Sequence, residues 1–174
     1  VARYGDDKTI IGYKVNEKVE LPHKDTKQDT MKTAAKIVQL GEELRAKQKF
    51  DGIIPIKVDD GGVGGGVVDR LRQIKKSNPT YYYWMRIIPV AFGRPINHRY
   101  YHDSTTLMMS IVKTLLQPFD EDGKAKPVEL IIPNDSELIA QLSCRKYELN
   151  ERSKIVVESK KAMKARGLPS PDEA

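Results

Sequence analysis

Two acids run directly into glycine in the segment Ile56-Lys57-Val58-Asp59-Asp60-Gly61-Gly62-Val63-Gly64-Gly65-Gly66. A β-branched run precedes the acids, and apolar residues at helical spacing follow the glycines. The acids therefore belong where a strand ends and a helix begins, the place where open α/β sheets gather their ligands. Three chemistries compete for such a turn. A nucleotide phosphate loop would end in Gly-Lys-Ser or Gly-Lys-Thr, but Val67, Val68 and Asp69 follow Gly66, and Val67 breaks a strict GxGxxG. Two carboxylates would also repel a phosphate. A structural role needs only that glycine lets strand and helix pack closely. A hard-metal site uses Asp59 as an oxygen donor to Mg2+ or Mn2+, with the glycines leaving room for a DNA backbone. Two such ions about 3.5–4 Å apart would activate a water and stabilise the leaving oxygen of a phosphodiester. That chemistry needs further carboxylates, and Asp6, Asp7 and Asp172 are the candidates.

The elements that must position these acids fit into one domain of 174 residues. Hydrophobic residues at 39% and charged residues at 31% describe a globular chain rather than a disordered one. No apolar run nears the roughly 18 residues of a membrane span, and the first residues lack the plan of a signal peptide. One cysteine, Cys144, excludes an internal disulfide. Three scattered histidines make a structural zinc site a poor fit. A net charge of +6 favours polyanionic partners, nucleic acid above all.

Along the chain, Lys8–Val15 and Val19–Leu21 suit strands joined by a turn at Asn16-Glu17. A long amphipathic helix is expected from an Asp29 or Thr30 cap to Lys49. Ile53–Val58 suits a buried strand, and the helix after the glycines carries Val67, Val68, Leu71 and Ile74 until Asn78-Pro79 ends it. Tyr81-Tyr82-Tyr83-Trp84 reads as strand packing in preference to a base-stacking platform. A strand over Met85–Phe92 follows, then a helix capped by Asp103 or Ser104. A short helix opens at Asn134-Asp135-Ser136-Glu137, a hairpin falls near residues 146–158, and a last helix stops at Gly167. The alternation predicts a single α/β domain with a mixed sheet between helices.

Five pieces in this order resemble one family. They are Ala2–Thr9, Val58–Leu71, Glu137–Ser143, Val157–Lys160 and Ser170–Ala174. Together they are similar to the C-terminal nuclease domain of large terminase subunits from tailed bacteriophages and prophages. The resemblance implies an RNase H-like fold with a mixed central β-sheet flanked by α-helices. It implies an endonuclease that cuts concatemeric double-stranded DNA with two divalent ions, Mg2+ or Mn2+. It further implies an ATPase motor domain preceding this one, a terminase small subunit and portal as partners, and action in the host cytoplasm at the procapsid portal.

Carried over by residue, Asp59 matches the family's middle metal-binding acid, and Asp60 either supports it or is solvated. The family's first catalytic Asp would precede Val1 and its last would follow Ala174, so residues 1–174 are expected to be a single nuclease domain trimmed at both ends. Asp172, one helical turn before that last acid, is a candidate further ligand and catalytic residue, and Asp7 a candidate metal ligand. Arg70 and Lys75 after the glycines, with Lys160, Lys161 and Lys164 on the last helix, are the expected DNA contacts. The alternative is an RNase H-like module that binds DNA or couples to a motor without cutting.

Overall fold

A computed structural model describes residues 8–26 and 28–168, so Asp7 and Asp172 lie outside the described residues. Among the described residues, five helices and six strands are interspersed. Two compact units divide them, one holding residues 8–9 and 24–92 and the other residues 10–23 and 93–168.

In the first unit the helix α1 (Thr30–Gln48) begins where the Asp29 carboxylate accepts the Lys32 N–H at 2.7 Å, as its capping residue type predicts. It ends on Lys49, whose left-handed backbone (φ 49°) turns the chain away. The strand β3 (Ile54–Asp59), the helix α2 (Gly64–Ser77) and the strand β4 (Met85–Val90) then form a β–α–β unit. β3 and β4 pair in parallel, from Ile54 beside Met85 to Asp59 beside Val90. Ala34 and Val38 of α1, Val67, Val68 and Leu71 of α2, and Val58, Trp84 and Met85 form the core. Each such side chain contributes roughly 1.5–3 kcal/mol by leaving water, the alanine less. Gly41 makes room for the indole: a β-carbon there would stand 2.5 Å from Trp84 Cη2. The four aromatic residues do not form a strand. They occupy the turn before β4, where Asn78 Oδ1 accepts the Tyr81 N–H and only Trp84 is fully buried.

Most of the hairpin β1 (Lys8–Val15) and β2 (Lys18–Thr26), turning at Asn16 (φ 51°), belongs to the second unit. The helix α3 (Ser104–Leu116) is capped by Asp103, whose carboxylate accepts the Thr106 N–H at 2.8 Å. Its apolar side chains are only half-buried or exposed, and Thr106 is its one buried residue. The helix α4 (Ser136–Ser143) starts from Asp135, which accepts the Glu137 and Leu138 N–H groups. The strands β5 (Tyr147–Leu149) and β6 (Ile155–Val157) form the expected antiparallel hairpin, in a shorter span than its sequence allotted. The helix α5 (Lys160–Ala165) follows its Ser159 cap, and Gly167 (φ 77°) stops it as expected.

The fold is a small mixed α/β arrangement. Where the sequence pattern predicts one mixed sheet, the strands among the described residues form three separate two-stranded pieces.

Candidate functional site

Asp59 is the last residue of β3, and strand alternation explains its exposure. Ile54, Ile56 and Val58 turn toward the helices, so Pro55, Lys57 and Asp59 turn outward. The ladder continues one step further, with the Asp60 N–H donating to Val90 O at 2.8 Å. The chain then folds back on the acid. Asp59 Oδ1 accepts the Gly61 N–H at 3.0 Å, which fixes the carboxylate and leaves its other lone pairs open to solvent. Gly62 adopts a left-handed conformation (φ 57°) that favours glycine. Gly64 starts α2 so near the strand that a β-carbon on it would stand 1.6 Å from Asp59 O. No side chain caps α2, whose positive end lies just beyond the two acids. A β-carbon on Gly65 would be 3.5 Å from Asp60 Oδ1, so Asp60 lies over that first turn. Gly61, Gly62 and Gly64 thus add no side-chain bulk to the turn beside Asp59, where Asp60 and Val63 are the residues that carry side chains.

Oxygen donors of this kind suit Mg2+ or Mn2+, and an exposed carboxylate with free lone pairs fits one ligand position. Among the described residues, no three of His, Cys, Asp and Glu come together to hold a metal. Asp59 and its neighbour Asp60 are the two carboxylates that stand at this turn.

The expected DNA contacts fall into different settings. Arg70 is half-buried on α2 and donates to Gln73 Oε1 at 3.3 Å. Lys75 turns inward, its ammonium donating to Met85 O at 2.5 Å, which ties the end of α2 to the start of β4. Lys160, Lys161 and Lys164 are exposed around the buried Met163 of α5. That short helix is fastened by an ion pair, in which Arg166 Nε donates to Glu158 Oε1 at 2.7 Å and Arg166 Nη2 to Glu158 Oε2 at 2.6 Å. The guanidinium also reaches Cys144 O at 3.1 Å. Hydrogen bonding from Arg166 holds the Glu158 carboxyl below its ordinary value. Partial desolvation opposes this, and the Lys146 N–H adds to it.

Lys57 and Arg86 belong to no motif that marks them in the sequence. Arg86 of β4 pairs in register with Pro55 and shares the outward face of Lys57 and Asp59. The period-two alternation of Ile54 to Asp59 carried that signal.

The fold is similar to that of a phage terminase nuclease domain. The nuclease domain of the large terminase subunit gp2 of bacterial virus Sf6 superposes with a TM-score of 0.71 at 14% identity, covering 99% of this chain and 81% of that one. A mutant of that domain with manganese gives 0.68 over 95% of this chain and 79% of that one, also at 14% identity. A mutant with calcium gives 0.71 over the same 99% and 81%, at 14% identity. At such identity the likeness establishes the fold. No protein-family model matches the chain, and no curated protein does. No helix among the described residues is long and apolar enough to cross a membrane.

Proposed function

We propose that the chain is the metal-dependent nuclease domain of a viral genome-packaging terminase, RNase H-like in architecture, which cuts concatemeric double-stranded DNA. One observation carries the reading. An exposed carboxylate, Asp59, closes a parallel strand beside a glycine-rich turn, in a chain whose fold is similar to that of a terminase nuclease domain. The Sf6 domains were solved with calcium or manganese, which favours divalent ions here.

Asp59 would hold the ion, with Asp172 and Asp7 as further ligands and the resemblance's two outer acids completing the set. Bound there, two Mg2+ or Mn2+ ions supply Lewis acidity for phosphodiester hydrolysis. This chain's own contribution is to fix the Asp59 carboxylate with the Gly61 N–H. It also keeps bulk away from the scissile backbone through Gly61, Gly62 and Gly64, and offers Arg70, Lys160, Lys161 and Lys164 to flanking phosphates. Lys75, committed to Met85 O, would act by holding α2 in place. The partners proposed are the ATPase motor domain of the same subunit, the small subunit and the portal, in the host cytoplasm.

Supercoiled plasmid, incubated with Mn2+ or Mg2+ and the parent polypeptide including its flanking residues, should be nicked and linearised. Asp59→Asn should abolish cutting without loss of fold. Cutting that survives this substitution, or excess chelator, would overturn the reading. Duplex binding without any cutting would favour the non-cleaving module.

A further inference from the structure

The face of the β3–β4 ladder that bears Asp59 also bears two cations, Lys57 and Arg86, whose side chains are not committed to fixed contacts as several other cations of the chain are. Arg45 donates to Asp51 and Tyr83, Lys126 to Thr114 O and Glu129, Arg166 to Glu158, and Lys75 to Met85 O. The side chains of Lys57 and Arg86, by contrast, are exposed and make no hydrogen bond or ion pair among the described residues. They are held by strands rather than loops, so their roots are fixed. Lys57 stands two residues before Asp59, about 6.6 Å along the strand. Arg86 lies beside Pro55, two residues earlier again on the neighbouring strand. The only acid among the outward residues of the paired strands is Asp59 itself, and beyond it come the exposed Asp60 and then glycine.

We infer that Arg86 and Lys57 form a track for one backbone of duplex DNA, leading along the strands to Asp59. The occupant follows from charge and spacing. Successive phosphates on one DNA strand stand farther apart than their roughly 3.4 Å of axial rise, because the backbone winds around the axis, so one two-residue step of β-strand, about 6.6 Å, matches roughly one phosphate spacing. The contacts are to phosphate, and they position the duplex without reading its sequence. For its substrate the inference rests on the nuclease reading. It goes beyond that reading in placing the approach along β3 and β4 rather than across α5 alone.

The test is the anisotropy of labelled duplexes of about 30 base pairs, in two unrelated sequences, titrated with the full 174-residue chain in EDTA across a salt series. Removing one phosphate contact should lower the slope of log affinity against log salt by about 0.9, and affinity about eightfold at 0.1 M salt. Lys57→Gln and Arg86→Gln should each do this, and the double variant should lose about 1.8 in slope and about sixtyfold in affinity, equally for both sequences. Lys57→Arg should retain binding, as should Lys47→Gln on the last turn of α1, with unchanged circular dichroism throughout. An unchanged slope in the folded double variant overturns the track, whether or not the parent cuts DNA. A reduced slope in a protein whose parent never cuts keeps the track and removes the nuclease reading. A concentration-dependent dimer that the double variant dissolves would assign the face to a second copy and overturn the inference.

Discussion

The carbonyl oxygen of Asp59 occupies the space that a side chain on Gly64 would need, 1.6 Å from its β-carbon position. The strand that presents the acid and the helix that follows are in backbone contact at this point. Gly64→Ala must push α2 away from β3, and chain unfolding in urea should show a loss of at least about 3 kcal/mol. Gly65→Ala, one residue later, meets only ordinary contact at 3.5 Å from Asp60 Oδ1 and lies within the helix. It should gain about 0.5–1 kcal/mol. Equal effects from the two substitutions would refute the backbone contact.

In the proposed function Asp59 has two roles, one structural and one in cutting, that substitution separates. Asparagine keeps a carbonyl oxygen for the Gly61 N–H, whereas alanine removes it. Thermal or urea unfolding should find Asp59→Ala weakened by about 0.5–1.5 kcal/mol and Asp59→Asn by less. Plasmid cutting should vanish in both.

Lys75 and Lys161 divide the basic residues by task. Lys75→Met removes the donor to Met85 O, and stability should fall by about 1–2 kcal/mol with little change in the salt dependence of DNA binding. Lys161→Gln, at an exposed position, should leave the unfolding curve unmoved and flatten the salt slope by about 0.9.

The Glu158–Arg166 pair makes stability depend on acid. Its carboxyl is held below 4.5 in the fold, so the unfolded chain takes up the proton first as pH falls. The stabilisation is therefore complete above pH 4.5 and is lost as pH drops through the depressed folded value. The urea midpoint of the wild type should exceed that of Glu158→Gln by a constant margin near neutrality. That margin should shrink below pH 4.5, and a margin that grows on acidification would contradict the pairing.

Much of this was legible in the order of residues. Asp29, Asp103, Asp135 and Ser159 cap the helices that their side-chain chemistry suits, and Gly167 stops α5 because its backbone there has positive φ. The end of β3 at Asp59 followed from Ile54, Ile56 and Val58 giving way to glycine. Tyr81–Trp84 misled, because aromatic residues favour strands while Asn78 and Pro79 impose a turn that only the fold reveals. Lys75 reads in the sequence as a DNA contact, because no local pattern tells which long side chain folds back onto a carbonyl ten residues ahead. The strand pairing was least legible, since register depends on contacts distant in sequence.

Trp84 is the only tryptophan in the chain, and it is fully buried in the core of the first unit. Intrinsic indole emission is therefore a reporter of that unit alone. Cys144, the only thiol, belongs to the second unit and can carry a label of its own. Nature has thus supplied a two-channel optical readout, in which melting of the half bearing Asp59 can be timed separately from melting of the half bearing α5.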